Sequence, residues 1–396
     1  MQSVTNLAGA AMRVYDKVVH EQVFTKNVLF MNILKNVAHT TGSTTKYFSV
    51  HNGRNIGSAA GTETLTLPTA GNQKYTQANI PMRYNFHTIA LTDVSLMASR
   101  KSKEFLVNVL ESEYSGAKDD MQRQLSRQGY SYGTGEIALL AGDPGVGTTI
   151  TLDTPMVGKD PTDYIEVGNI LRFGATAATI GTVDSITSET VFELAAACPA
   201  AALDNDPVYI AQSAVQSNKD NEMMGLKGLI DDGTNVATLE NISRAANIWW
   251  KSYVNSNSGT LRDVSDALLH TTFLAAKKKG EPKYALTSFD VYSTYGQTLT
   301  PDRRYTSAMK LAGGFTGIAF NELPIVPDYD CPVNELYFID NSVLSCEDLA
   351  PMSFLKEDGA ILDRSSTTPA WNATLRYYAN IAIKTPNKCA ALRDIR

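Results

Sequence analysis

The chain has 396 residues, 43% of them hydrophobic and 19% charged, with a net charge of −6. This is a globular composition, long enough for about two to three domains, and it excludes global disorder. The acidic balance excludes a chain that is basic throughout, as a dedicated nucleic-acid binder would be, while leaving room for a local contact.

No run of about 18 apolar residues marks a membrane span, so no membrane partner is expected. Met1 to Ala11 show no charged region followed by an apolar one, so no secretory signal is expected. The cysteines Cys198, Cys331, Cys346 and Cys389 are scattered without CxxC spacing. They read as unpaired thiols of a reducing cytoplasm, not as a zinc ribbon or disulfide framework. The five histidines share no HxH or HExxH spacing, so no metal and no cofactor is expected.

Residues 1–45 read as a mildly basic helical arm. Val14, Val18, Val19 and Val23, then Val28, Leu29, Ile33 and Leu34, recur at three- and four-residue spacing. Residues 46–92 change character. Tyr47 to Val50 reads as one strand, and the alternation from Met82 to Leu91 as another, with Gly53, Gly57, Gly61 and Gly71 between. The pattern predicts a long two-stranded excursion with a Thr- and Gly-rich tip. Such a ribbon is marginal in water by itself and needs something to lie on.

Residues 99–128 form the clearest helix, with Ser99 or Ser102 as its cap. Leu106, Leu110, Tyr114, Ala117, Met121 and Leu125 make one continuous stripe. At about 28 residues it would span about 40 Å, which suits the backbone of an elongated subunit. From 138 to 220, Lys and Arg are confined to Lys159, Arg172 and Lys219. Short β-like runs recur at Thr149–Leu152, Tyr164–Val167, Asn169–Phe173, Thr179–Val183, Thr190–Leu194 and Pro207–Ile210. Turn residues separate them, so an inserted small all-β domain is expected.

From 225 to 345 the pattern returns to mixed α and β. Ser243–Tyr253 and Leu261–Lys279 read as helices, the second ending at Lys277, Lys278, Lys279 and Gly280, where cations suit the dipole and glycine the left-handed cap. Tyr284–Thr287, Leu323–Pro327 and Glu335–Ile339 read as strands, and a helix starts near Phe289. Met352–Leu355, Ala373–Lys384 and Ala390–Leu392 close the chain as strands.

No motif carries chemistry. Gly142 to Thr149 nearly matches a phosphate loop, but Thr148 stands where the lysine should be and no helix is expected after it. A glycine-rich turn between strands is the better reading. Asp231, Asp232, Gly233 and Thr234 form a turn signature without the alternating acids of a calcium loop. Glu166, Asp184 and Glu189 read as surface acids. Trp249 and Trp250 have one ring in a core at helical spacing. The arm and the C-terminus, with Arg376, Lys384, Lys388, Arg393 and Arg396, are the basic regions. They read as solvated faces, or as non-specific contacts with nucleic-acid phosphates.

The order of elements resembles the major capsid proteins of tailed double-stranded DNA bacteriophages, a fold shared with herpesvirus capsid floors and encapsulins. The segment Gly225 to Thr234 (GLKGLIDDGT) is similar to the segment after that family's spine helix. Lys283 to Tyr305, Phe320 to Pro332 (FNELPIVPDYDCP) and Leu375 to Ile395 resemble its axial strand and helix, its hydrophobic proline element and its closing strand.

The resemblance implies an α+β fold divided into an N-terminal arm (1–45), an extended hairpin loop (46–92), a peripheral domain with spine helix (93–137 and 346–396), the β insert (138–222) and an axial domain (223–345). It implies a non-enzymatic shell protein of the virion, assembled in the host bacterial cytoplasm. Hexamers and pentamers would enclose double-stranded DNA held non-specifically, with a separate scaffolding protein, a portal and a decoration protein as further partners. Val14, Val18 and Phe24 of the arm, and Tyr47, Phe48, Tyr84 and Phe86 at the hairpin base, are the expected contacts between subunits. Some members cross-link covalently; Lys74 is the candidate here, without an identified partner. The alternatives are an encapsulin-type nanocompartment shell or, in a different class, a carbohydrate-binding or hydrolytic protein using the β insert.

Overall fold

The computed structural model describes Leu29 and residues 37–39, 43–64, 66–93, 103–174, 179–299, 309–310, 316–355, 363–364 and 368–396. In chain order, β1 is Val37–His39, β2 Thr45–Gly53, β3 Lys74–Pro81 and β4 Arg83–Thr92. Strands β2 and β3 form an antiparallel ribbon from Thr45↔Pro81 out to Gly53↔Lys74. The hairpin therefore closes at Pro81. The expectation that Met82 to Leu91 forms its second limb is corrected: β4 pairs instead with the closing strand β22 (Ala370–Ile383). The true second limb is polar, and its alternation rests on Thr76, Ala78 and Ile80, which turn inward.

The spine helix α1 is Lys103–Gln128. Ala117, Met121 and Leu125 of its stripe are buried, and Tyr114 packs on Phe354 at 4.9 Å. Ser99, Ser102, Leu106 and Leu110 lie outside the described side chains. Ala117 meets Ile89 of β4 and Ala373 of β22, so the helix lies across the sheet that these strands build.

Seven strands follow: β5 Glu136–Leu140, β6 Thr149–Asp153, β7 Ile170–Phe173, β8 Ile180–Ile186, β9 Val191–Leu194, β10 Pro207–Ser213 and β11 Gln216–Ser217. They pair in the order β11-β10-β5-β6-β9-β8-β7, and β10 also pairs with β7. The sheet thus closes on itself as a barrel, which removes its edges. Period-two burial fills the interior with Leu140, Ile150, Leu171, Phe173, Phe192 and Val208. Tyr164–Val167, expected as a strand, is part of the β6–β7 connection. Tyr164 is drawn out of the ladder because its hydroxyl donates to the buried Asp330 carboxylate. The chain leaves and returns through one doorway: the Asp220 amide donates to the Thr134 carbonyl at 2.8 Å.

Next come the single turn α2 (Leu226–Leu229), β12 (Thr238–Leu239), β13 (Ile242–Ser243) and β14 (Tyr253–Asn255). Gly225 lies so close to the backbone of Gln128 and Ser131 that any side chain there would overlap them. The helix expected over Ser243–Tyr253 is corrected to β13, a 3₁₀ turn at Ile248–Trp250 and β14. Arg244 is the reason. Its buried guanidinium donates to the carbonyls of Gly228, Val236 and Leu229 at 3.0, 3.1 and 2.6 Å, which fixes the chain beside α2. Trp250 is buried, its indole donating to Leu239 O at 3.2 Å, while Trp249 is half-buried.

The second sheet is built from β14, β15 (Tyr284–Thr287), β16 (Met309–Lys310), β17 (Thr316–Phe320), β18 (Leu323–Pro327), β19 (Leu336–Ile339) and, late in the chain, β23 (Ala390–Leu392). Helices α3 (Asp266–Lys277) and α4 (Phe289–Thr298) flank it. The order is β14-β23-β19-β15-β18-β17-β16. The central strands are buried on both faces. Leu286, Val326, Tyr337 and Ile339 face one core, while Ala285, Ile325, Leu336 and Phe338 face the other, beneath Phe273 of α3. This is why their sequences run as unbroken apolar stretches.

The first sheet comprises β1, β4, β20 (Leu344–Phe354), β21 (Asp363–Arg364) and β22, with β22 between β20 and β4. The register of β20 shifts between Ala350 and Ser353, where Pro351 has no amide to give the ladder. Residues 390–396, expected with this sheet, belong to the second one, because β23 pairs with β14 and β19.

A buried charge network joins the two ends of this half. Arg393 donates to Asp231 at 3.2 Å and to the Lys227 and Ile230 carbonyls, and Lys227 reaches Glu335 at 3.6 Å. Burial alone would raise the Asp231 carboxyl. The Val236 amide, the Arg393 guanidinium and Asn235 more than offset that and hold it below the usual carboxylate range. All four cysteines are buried and unpaired.

Candidate assembly surfaces

The hairpin has two unlike halves. At its root, Ala78 and Ile80 are buried and Phe48 packs on Trp250 at 6.4 Å. Lys46 forms an ion pair with the buried Glu347 of β20, and Asn380 of β22 donates to Pro81 O at 2.9 Å. The Asn79 amide donates to Glu240 O at 3.0 Å. Glu240 and Asn241 both have positive φ, as the tight turn between β12 and β13 requires. Burial pushes the Glu240 carboxyl up to about 8; the Ile383 amide and Arg244 oppose the shift, and the Glu347 charge adds to it. The ribbon is thus anchored in the first sheet and on the β12–β13 turn.

Beyond residue 53 nothing covers the chain. The described residues of 54–73 contain no strand, and Ile56 and Leu67 are each 87% exposed. Asn55 clasps the two limbs, its Oδ1 accepting from Gly57 N at 2.7 Å and Gly71 N at 3.1 Å. A Cβ on Gly71 would sit 2.7 Å from that oxygen, so the clasp requires glycine.

The expected contact residues fall in three places. Val14, Val18 and Phe24 lie outside the described residues. Tyr47 stands on the hairpin, 56% exposed, whereas Phe48 turns inward onto Trp250 of its own chain. Tyr84 and Phe86 are on β4, not on the hairpin. They are 49% and 58% exposed and stack edge-on against Tyr378 of β22 at 5.2 and 5.6 Å, with the Arg376 guanidinium 5.6 Å from the Tyr378 ring. They border a groove of about 890 Å³ between β4, α1 and the barrel, lined also by Arg83, Gln124, Arg172 and Lys219. Sequence reading missed Ile56 and Leu67. Their signal is an apolar residue isolated in a Gly-, Thr- and Asn-rich run.

The phosphate-loop decoy joins β5 to β6. Asp204 already accepts from Gly142 N at 2.7 Å and Asp143 from Gly145 N at 2.8 Å, so acidic side chains occupy amides that a phosphate would use. Asp231 to Thr234 is a turn, with Asp231 Oδ2 accepting from Gly233 N at 2.9 Å. Among the described residues no group of three or more His, Cys, Asp or Glu could hold a metal ion, and no helix is long and apolar enough to cross a membrane. Lys74 lies at the outer end of β3, exposed.

No family model and no curated protein matches the sequence. Solved structures do, over the whole chain. The cyanophage A-1(L) capsid asymmetric unit aligns with a TM-score of 0.61 at 12% identity, covering 100% of this chain and 99% of that one. The capsid of an empty GTA particle aligns with a TM-score of 0.54 at 8% identity, covering 100% and 98%. The holo-SrpI encapsulin complex from Synechococcus elongatus PCC 7942 aligns with a TM-score of 0.50 at 8% identity, covering 100% and 96%.

Proposed function

We propose that this chain, whose α+β fold is that of the tailed-phage major capsid proteins, is the structural subunit of a phage head. The observation that carries the proposal is the hairpin. Its root is locked by an ion pair and by hydrogen bonds to the first sheet and the β12–β13 turn, yet its tip holds two isolated apolar side chains in water. Ordering such a segment costs about 1–2 kcal/mol per residue, and nothing within the described chain repays that cost beyond residue 53. A neighbouring subunit would.

In this reading the second sheet with α3 and α4 (within 223–345) is the axial part, around which hexamers and pentamers form. The first sheet with α1 is the peripheral part, and the hairpin and arm lash neighbouring capsomers through Tyr47, Tyr84, Phe86 and the arm residues Val14, Val18 and Phe24. The barrel (within 138–222) is an insert on that frame. The shell encloses double-stranded DNA, assembles in the host cytoplasm with a scaffolding protein, and carries a portal and a decoration protein in the virion. Closed curvature demands that one subunit fit two ring sizes, which a rigid centre with pliant lashes allows.

The likeness to an encapsulin favours a second reading, in which the shell holds a protein cargo. Expression with and without the scaffold, followed by negative-stain electron microscopy, separates the readings. Closed shells containing nucleic acid are expected. Shells filled by a protein alone would establish the nanocompartment reading, and a monodisperse monomer with scaffold present would sink both.

A further inference from the structure

Four lysines from two separate pieces of chain line one cavity of about 430 Å³. Lys277 closes α3, Lys279 and Gly280 follow it, Lys283 precedes β15, and Lys388 ends the 3₁₀ turn Pro386–Lys388. Two carboxylates share the wall. Glu281 pairs with Lys283 at 3.1 Å. Asp340 accepts from Ser342 N at 3.0 Å, Ser342 Oγ at 2.6 Å and Glu281 N at 3.1 Å. Against the opposing effect of burial, these bonds and the nearby Lys388 charge hold its carboxyl below the usual carboxylate range. Among the described residues, no carboxylate forms an ion pair with Lys277, Lys279 or Lys388. The Lys388 stem lies against Gly280, where a Cβ would come within 2.6 Å of the Lys388 Cβ. Lys388 is therefore held beside the end of α3 by packing.

A helix C-terminus accounts for cations in its own last turn. It does not account for Lys388, which arrives from the far end of the sequence, nor for three ammonium groups around one concavity in a chain of net charge −6. Lysines present point charges without the fixed fork of arginine, which suits oxyanions held without a set orientation. We infer that this cavity binds phosphate groups, and specifically the backbone phosphates of the duplex DNA that the shell encloses. The inference rests on the proposed function for its partner: a chain of net charge −6 would repel packaged DNA, and this cavity would supply a local, sequence-independent foothold.

The test uses the full-length chain before assembly, with a fluorescein-labelled 20-base-pair duplex and anisotropy over a salt series. Three phosphate contacts predict a slope of log K against log salt of about −2.7, or about 40-fold weaker binding from 50 to 200 mM. Lys279→Gln with Lys388→Gln should flatten the slope to about −0.9, while Lys279→Arg with Lys388→Arg should keep it. Lys118→Gln with Lys159→Gln, equal in charge change and outside the cavity lining, should leave the slope as it is. Pyrophosphate should displace the duplex from the wild-type chain. An unchanged slope in the Gln pair overturns the site. Pyrophosphate binding without duplex binding overturns DNA as the source and assigns a free phosphate ligand. Displacement by polyglutamate while pyrophosphate has no effect overturns the phosphate class in favour of an acidic protein. Shells that form while the duplex stays unbound refute this inference alone; a chain that never forms shells refutes the proposed function, and the titration still reads the site.

Discussion

The barrel and the hairpin are both antiparallel β-structure, and they solve the problem of the strand edge in opposite ways. The barrel pairs β10 with β7, so its ladder runs full circle and its apolar residues face a shared interior. The hairpin is a two-stranded ribbon whose root buries Ala78 and Ile80 against its own chain and whose outer part is bare. A region that closes on itself is complete as a monomer. A region that stays open is left for a partner, and in the proposed shell the change near residue 53 is where the neighbouring subunit would take over.

The comparison breaks most readily at the barrel. Phe192→Ala removes a fully buried ring from a closed interior and should cost about 3–5 kcal/mol, read by denaturant unfolding, with hydrogen exchange rising first in residues 136–217. A loss below about 1 kcal/mol would mean that the barrel is not close-packed.

Glu240→Gln tests the hairpin's anchored root. The Glu240 carboxyl lies near 4.5 in the unfolded chain and at about 8 in the folded one. Between those values the folded state holds a proton that the unfolded state has released, so wild-type stability falls as pH rises through this window. Glutamine stays neutral and keeps an acceptor for the Ile383 amide. The variant should gain a few kcal/mol at pH 9, on the order set by the shift, and match wild type below pH 4.5. The smaller fall that Asp328 contributes between 3.8 and about 6, where burial and the neighbouring Asp330 raise its carboxyl, should remain in both. Parallel Tm–pH curves would show Glu240 to be solvated.

Gly71→Ala should open the Asn55 clasp, at a cost of about 1 kcal/mol confined to the tip, seen as faster proteolysis within residues 54–73. Ile56→Ser with Leu67→Ser should change the isolated chain least, within about 0.5 kcal/mol, because these side chains are almost wholly exposed. The same pair should abolish closed shells by electron microscopy. Normal shells from it would remove the tip from the interface.

The sequence was most legible where burial is two-sided or strictly alternating. The runs at Tyr284–Thr287, Leu323–Pro327 and Ala390–Leu392, and the β6 and β9 alternations, declare their strands outright. It was least legible where one polar residue decides the path. Arg244 and Tyr164 each leave the regular ladder to satisfy distant groups, Arg244 the carbonyls of α2 and Tyr164 the Asp330 carboxylate, and no local spacing announces that. Strand β3 was unread because half of it serves a face that the subunit leaves open. The candidate surfaces followed the same rule. Tyr47, Tyr84 and Phe86 were visible as exposed aromatics in strands, though Tyr84 and Phe86 belong to another sheet than expected. The lysine cavity was invisible because Lys388 lies more than a hundred residues beyond Lys283.

The doorway at Thr134 and Asp220 has a kinetic consequence. Leu226 and Gly225 must find Gly129 and Ser131, with amides at 2.7 and 3.1 Å from their carbonyls, across the whole intervening chain. If the barrel forms first, its closed ladder delivers both ends to one point, and the search shrinks from nearly a hundred residues to the few between doorway and contact. Loop closure then costs only the entropy of those few residues. Pulse-labelled hydrogen exchange during refolding should therefore find amides of 136–217 protected ahead of those of α2, making the barrel the step that sets the pace for the frame around it.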